Sequence, residues 1–391
     1  MTAPNRATPP LLKDLNERTV LEAIRRDGPI SRAEISRRAG ISKPTVSLAL
    51  QSLRDAGLVR ETPHDPGGPS YGAVYFEPVP DAALVLGLDL GARFLRGAVC
   101  DLAGRVRARQ DVELDGADAT AALDMAVSLQ ASLLAATGLP AELIDGVVVG
   151  VPGVVDAATD ELRLVSNVAG LEGRRYGAEL AERLGLPTAL ENDINLAALG
   201  EHWQGIAQGI DDFVFLSIGT GLGAGLVLGG ELHRGHHGAA GELDYAFVGG
   251  EDDVDPCAGA ASELTERLAG EELDTRLAPP YDTRATFAAA RRGDALGRAV
   301  VDELARRIAL HVEAVAAVVD VALVVLGGGL GSNGDLLLEP VRERLRRDLP
   351  YPPRVEVSSL GDAAVLTGAL AVGRRAALEN VFVNRARAAR P

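Results

Sequence analysis

Two stretches of this chain are built alike. VLGLDLGARFLRGAVCDLAG starts at Val85 and VFLSIGTGLGAGLVLGGEL at Val214; at an offset of 128 residues Gly91 falls on Gly219 and Gly97 on Gly225, with apolar strands on both sides of each pair. The pattern describes one glycine-turned β-hairpin used twice. An apolar strand follows at LIDGVVVGVPG, with amphipathic helices near 120–137, 175–184 and 193–203 and a longer helical stretch through 286–318. The expectation is an α/β body of two similar lobes facing a cleft, with the glycine turns beside the ligand. IGTGLGAG, residues 218–225, has the composition of a phosphate-holding loop, because glycines let successive N–H groups point at one anion. A tight hairpin packed closely under the cleft explains the same glycines without any ligand, and the same alternative applies to Gly327, Gly328 and Gly329 after the strand VALVVL.

Ahead of the body lies a differently patterned head. LLKDLNERTVLEAIRRDG places apolar residues at Leu12, Leu15, Val20, Ala23 and Ile24 and stops at Gly28-Pro29. Ser31-Arg32-Ala33-Glu34 has the form of a capping box opening a second helix that ends at Gly40. A third helix starts after Ser42 with Pro44 in its first turn, turns Val46, Leu50 and Leu53 inward, and stops at Gly57. Leu58-Val59-Arg60 and Ala73-Val74-Tyr75-Phe76, separated by the turn-rich PHDPGGPSYG, read as the two strands of a wing. The result is a winged helix-turn-helix. The candidate DNA contacts are Ser31, Arg32, Ser42, Lys43, Thr45, Ser47 and Gln51, short hydroxyls, cations and a carboxamide suited to phosphates and base edges in a major groove. Arg32, Arg37, Arg38 and Arg54 are candidates for phosphate contacts or for solvated surface charge. A plain helical bundle or a protein-docking module is the competing reading.

Charge separates the two parts. Residues 1–62 hold 11 Lys and Arg against 7 Asp and Glu, a balance of +4, so the remainder carries −20 of the chain's net −16. A basic head on an acidic body is what an appended nucleic-acid-binding module leaves. The two cysteines, Cys100 and Cys257, have no disulfide framework around them, and neither an 18-residue apolar run nor a signal peptide is seen, so a cytoplasmic location is expected.

This arrangement resembles the ROK family, the group of repressors, open reading frames and kinases. The likeness is carried by ISKPTVSLALQSLRDAGLV in the head, VPG at 151–153, ENDINLAALGE at 191–201, IGTGLGAG, GAAGE at 238–242, VVLGGGLG at 324–331 and SSLGDAAVLTGAL at 358–369. It implies a winged helix-turn-helix on a duplicated, two-lobed, actin-like sugar-kinase body. The expected divisions are a head with linker over 1–78, a first lobe over 79–200 completed by a C-terminal helix near 366–391, and a second lobe over 201–365. By the same resemblance Asn192 and Asp193 are a sugar-binding pair, Asp193 standing where the kinases have their general base, and Glu242, Glu263 and Tyr245 are further effector contacts. A helix N-cap is the alternative role for Asp193, and a first-turn carboxylate favoured by the helix dipole is that for Glu263.

Two departures from the family pattern bear on activity. Its kinases begin the first lobe with an Asp-x-Gly-Gly-Thr turn around ATP phosphates, whereas this chain reads Asp89-Leu90-Gly91-Ala92-Arg93. Ala92 is expected to block close approach or a left-handed backbone, and Arg93 to fill the phosphate space or pair elsewhere. Kinase activity is therefore not expected, since phosphoryl transfer is nearly all positioning and charge stabilisation. The family's structural zinc uses a histidine after the AGE motif and three cysteines; here Tyr245 stands in the histidine place and Cys257 alone remains. His233, His236 and His237 lie nearby, but a solvated loop is the expectation for them, with no zinc and no other cofactor. Together these features imply a homodimeric or dimer-of-dimers repressor that binds operator DNA and a sugar or related effector. A sugar kinase with a regulatory head, or an effector-independent DNA binder, are the rivals.

Overall fold

A computed structural model describes residues 9–63, 74–114, 116, 118–156, 158–165, 168–246, 254–271 and 273–388. The head consists of helices α1 (Pro9–Asp27), α2 (Arg32–Ala39) and α3 (Lys43–Asp55), with a small antiparallel sheet of β1 (Ile30–Ser31), β2 (Val59–Thr62) and β3 (Tyr75–Pro78). Its strand order is β1-β3-β2, so the wing gains a third strand that the sequence pattern does not announce. The wing turn at 64–73 lies outside the described residues. Ser42 caps α3 by accepting from the Thr45 N–H, and Gly57 adopts a left-handed φ of 69° after it.

The capping box is only half formed. Ser31 accepts from the Glu34 N–H, but the Glu34 carboxylate turns away to Arg37 and Arg38. Ser31 is itself a strand residue paired with Tyr75, and a two-guanidinium site outcompetes a single backbone N–H for the carboxylate. Leu12 and Leu15, expected in the core, are exposed; the apolar stripe that packs begins at Val20 and Leu21.

The body repeats one topology. In the first lobe β4 (Leu84–Leu90), β5 (Phe94–Asp101) and β6 (Val106–Glu113) form a meander, α4 (Ala119–Thr137) crosses over, and β7 (Ile144–Val151) follows. A small hairpin of β8 (Val154–Val155) and β9 (Leu162–Arg163), helix α5 (Tyr176–Leu184), strand β10 (Thr188–Asn192) and helix α6 (Asp193–Gln204) complete the run. The second lobe opens with β11 (Phe213–Ile218), β12 (Leu222–Leu228) and β13 (Glu231–Leu232), then α7 (Ala258–Ala269), α8 (Thr283–Arg291) and α9 (Ala295–Val319). The long helix expected through 286–318 is thus two, broken at Gly293 with φ 88°. β14 (Leu323–Gly327), α10 (Gly328–Gly331), α11 (Gly334–Asp348), β15 (Arg354–Val357) and α12 (Ala364–Ala388) end the chain.

The sheets run β10-β7-β4-β5-β6 and β13-β12-β11-β14-β15, the same order read in opposite directions. One pair of the duplicated glycines has a shared purpose: a Cβ on Gly97 would strike Leu129 and Leu133 of α4, and one on Gly225 would strike Ile194 and Ala198 of α6. Each bare strand lets a helix settle onto its sheet. α4 is long and apolar enough on average to cross a membrane, and in this structure one face of it packs into the first lobe, with Ala119, Ala122, Leu123, Ala126, Leu129 and Leu133 buried.

The last helix of each lobe covers the other lobe's sheet. α6 lies on β11 and β12, α12 lies on β4, β5 and β7, and the two helices pack on each other. Glycine permits the crossing: a Cβ on Gly368 would fall on the Leu196 carbonyl, and one on Gly200 on the Ala364 carbonyl, both inside van der Waals contact. Gly368→Ala is therefore expected to lower stability. Helix propensity favours Ala by about 1 kcal/mol, but overpacking against a backbone atom that cannot rotate away costs roughly 1–3 kcal/mol or more. A urea midpoint below wild type checks this, and an unchanged or raised midpoint contradicts it.

Candidate functional site

The cleft between the lobes is built at strand ends. β7 pairs in parallel with both β4 and β10, placing Asp89 and Glu191 level with Gly150 on either side of it. Asp193, two residues beyond Glu191, begins α6. The chain therefore delivers carboxylates to the carboxyl edge of a parallel sheet, where α/β folds hold their ligands.

Asn192, rather than Asp193, is the N-cap of α6: its Oδ1 accepts from the Asn195 N–H at 3.0 Å, and its Nδ2 donates to the Gly153 carbonyl at 2.9 Å. Both ends of the amide are engaged in holding the strand-to-helix corner. Asp193 is left facing the cleft, accepting only from the Ile194 N–H among its described side-chain bonds. Glu191 braces the same corner through Asn195 and reaches across to Arg234 of the second lobe, at 2.6 Å.

Asp89, Asp193 and Arg96 share a cavity of about 220 Å³ with Ser217, Gly328 and Asp362. Burial is the main reason the Asp193 carboxyl is pushed up to about 7, and the Asp89 charge, then that of Glu242, pushes it further. Asp89 rises to about 6, again chiefly through burial, against the pull of Arg96 at 3.1 Å. Near neutral pH this pair offers a polyol both carboxylate acceptors and a carboxylic-acid donor. Glu242, partly buried at the start of a single turn over Leu243–Tyr245, is also raised by burial and by Asp244.

Other expected contacts are placed elsewhere. Tyr245 is 60% exposed and Glu263 lies on the outer face of α7, whose inner face is Ala261, Leu264 and Thr265; neither lines this cavity, and of the five expected contacts only Asp193 does, Asn192 and Glu242 lying outside its lining. Arg93 takes the second of its two expected courses, pairing with Glu113 at 3.4 Å on the outside of β6, and Ala92 is exposed without a left-handed φ. Position 93 offers no hydroxyl to a phosphate. Arg96, which the sequence reading passed over, is the guanidinium that enters the cleft.

The glycines divide. A Cβ on Gly223 or Gly225 would strike Ile194, one on Gly327 would strike the Phe215 ring, and Gly328 combines a φ of 76° with a close Ile218 carbonyl. Packing accounts for these. It does not account for Gly219, Gly221 and Gly329, where an added Cβ meets nothing closer than 3.8 Å. Among the described residues no group of three or more His, Cys, Asp or Glu is placed to hold a metal; His233, His236 and His237 are exposed, and Cys257 is buried with its thiol pushed well up by burial.

On the head, α3 presents its start outward. Several expected contacts already serve the fold: Ser31 caps α2, Ser42 caps α3 and meets the Thr45 hydroxyl at 2.8 Å, Ser47 donates to the Lys43 carbonyl at 2.9 Å, and Gln51 reaches Asp55. Arg37 and Arg38 pair with Glu34, and Arg54 with Glu61. Arg32 and Lys43 are exposed and have no ion-pair partner among the described residues. Leu48, missed because it lies out of phase with the buried stripe, is 73% exposed on the outer face of α3 with Pro44 one turn before it.

A winged helix-turn-helix joined to two lobes of one topology, with carboxylates meeting in the cleft, defines a sugar-kinase-like body carrying a DNA-binding type of head. The chain belongs to the ROK family, which it matches over residues 85–376, and residues 14–68 match the MarR family. The xylose repressor of Caldicellulosiruptor bescii is 27% identical over 93% of this chain and 96% of its own length. The glucokinase of Halalkalibacterium halodurans is 28% identical over 72% of this chain and 93% of its own. A crystal structure of a ROK family transcriptional regulator, a homolog of the E. coli MLC protein, superposes with a TM-score of 0.78 at 23% identity, covering 96% of this chain and 99% of that one.

The coupled carboxyls make a pH prediction. A carboxyl raised from 3.8 to about 7 on folding contributes its stability fully below the unfolded value and loses it as pH rises through the folded one. Asp193→Asn removes that loss and relieves Asp89. The fall in Tm between pH 5 and pH 8 is expected to be shallower in the variant than in wild type, and parallel profiles contradict the coupling.

Proposed function

We propose that this protein is a DNA-binding transcriptional regulator, a repressor, whose ROK body senses a sugar or sugar-derived metabolite in the inter-lobe cleft without phosphorylating it. The observation that carries the reading is the fusion of head to body: one continuous core joins Ile24, Leu50 and Phe76 of the head to Cys100 of the first lobe and Leu370, Val381 and Phe382 of α12. A head held by the same helix that packs against the cleft helix α6 is arranged to report cleft occupancy. The match to a repressor over nearly its whole length, head included, supports the same conclusion. A homodimer would present two heads to a two-fold operator.

In this reading Asp193 and Glu242 take sugar hydroxyls and Asn192 holds Asp193 in place. Tyr245 and Glu263 join only if the second lobe closes further over the ligand. DNA contacts centre on Arg32 and Lys43, with Leu48 offering an apolar surface to thymine methyls. No zinc or other cofactor is required. The open space beside Gly219, Gly221 and Gly329 favours a second reading, retained nucleotide binding as in a sugar kinase.

The test is operator binding by fluorescence anisotropy, on sites found by genomic footprinting, against a panel beginning with D-xylose and D-glucose, with ADP release measured on the same panel. The regulator reading expects operator affinity to change with one sugar and ADP release to stay at background. Turnover that disappears in Asp193→Asn establishes the kinase instead. Arg32→Ala with Lys43→Ala is expected to weaken operator binding on every sequence and reduce the salt slope by about 2, at roughly 0.9 per lost phosphate contact. An unchanged slope places the DNA surface elsewhere.

A further inference from the structure

A second cavity, of about 150 Å³, lies where head and body meet. Its walls come from both: Arg25 of α1, Leu58 beside β2, Pro78 at the end of β3, and on the body side Leu102, Ala103 and Arg374 of α12. It is distinct from the inter-lobe cleft, with no lining residue in common. No aspartate or glutamate lines it.

Two guanidinium groups therefore share one small, partly buried space. The Arg25 side chain is 17% exposed, and its nearest carboxylate is Glu22 at 3.9 Å, itself 73% exposed and turned to solvent. Among the described residues Arg25 makes no side-chain hydrogen bond. Burial and the neighbouring Arg374 charge hold Arg25 down to about 10. Arg374 is anchored on one side only: its Nε donates to the Leu102 carbonyl at 2.8 Å, and its guanidinium carbon lies 5.8 Å from the Trp203 ring centre, which leaves the Nη groups for another partner.

The backbone donors that border the cavity are already engaged. The N–H groups of Val79, Leu102 and Ala103 are bonded to Leu58, Pro80 and Asp101. Asp101 is fully buried and already accepts from the Ala103 and Arg105 N–H groups and from Arg107. Two like charges share this space with no carboxylate lining it, and the one acid paired with either, Glu22, lies at 3.9 Å and faces solvent, so the cavity itself is left under-compensated; planar guanidinium forks match the oxygens of a phosphate or carboxylate. The volume admits such a group with a short stem, since one water needs only about 15 Å³ of comparable space.

We propose that this junction binds a small oxyanion, the phosphate or carboxylate group of a metabolite, between Arg25 and Arg374. Because one arginine belongs to the head and the other to α12, the bound anion bridges them and sets how the head sits on the body. The junction is a second ligand site, independent of whichever sugar fills the cleft.

The test uses the full chain and inorganic phosphate, with acetate and citrate as carboxylate probes, titrated at constant ionic strength by calorimetry. Wild type is expected to bind at least one of the three with a single site per chain; Arg25→Gln and Arg374→Gln should each weaken that binding at least tenfold. Circular dichroism and the melting profile report whether each variant is folded. Arg25→Lys, which keeps the charge and loses the fork, is expected to fall between wild type and Arg25→Gln for phosphate. Sugar binding in the cleft, read separately, is expected to be unchanged in these variants. Absence of binding by all three probes, or binding of equal strength in the folded glutamine variants, overturns the proposal. Phosphate binding without carboxylate binding, or the reverse, identifies which anion the site takes.

Discussion

The crossing of α6 and α12 is the contact on which the rest of this molecule depends. Each helix closes the other lobe's sheet, and they touch backbone to backbone because Gly200 and Gly368 leave no side chain between them. Glu201 fastens the crossing. Its fully buried carboxylate accepts from the Ser358 and Ser359 hydroxyls and from the Ile206 and Leu360 N–H groups, so the end of α6 is tied to the loop that launches α12. A buried carboxylate is tolerated because four donors replace its water.

The ends of this unit lie at the two functional regions. α6 starts at Asp193, in the cleft, and α12 ends against the head, where the Arg18 guanidinium sits 4.8 Å from the Phe382 ring centre and Val381 and Phe382 enter the head's core. In the proposed reading a ligand that moved Asp193 would move α6, and α12, packed on it through Gly200 and Gly368, would have to follow. Close-packed interfaces respond as units, so on the proposed function the pair would serve as the mechanical element between sugar and DNA. The link is two helices long, so no extended chain of side-chain contacts has to be invoked.

Local rules made much of this fold legible. Caps and left-handed glycines marked α2 and α3 because those signals act within four residues, and the glycine offset revealed the duplication because Gly97 and Gly225 each lie bare beneath a helix. What stayed hidden depends on partners far along the chain. Glu201 reads as an ordinary helix acid until Ser358, 157 residues on, closes over it. Strand β1 exists only because Ile30 meets Phe76. Leu12 and Leu15 follow the apolar period of α1, yet they extend past the surface that the head offers to pack against. At the cleft, Asp193 was legible by position, but the exchange of capping duty to Asn192 and the entry of Arg96 required the geometry of β4, β5 and β10. Tyr245 and Glu263 were expected from the resemblance to the family, which fixes order along the chain and leaves side-chain direction undetermined.

The account turns on whether cleft and head are coupled through the α6–α12 unit. The direct measurement is the ratio of operator affinity with and without the sugar that shifts it most, in wild type and in Glu201→Gln, with sugar binding measured independently in each. The account predicts that the variant still binds both ligands and that its ratio collapses toward 1. A variant that keeps the wild-type ratio contradicts it.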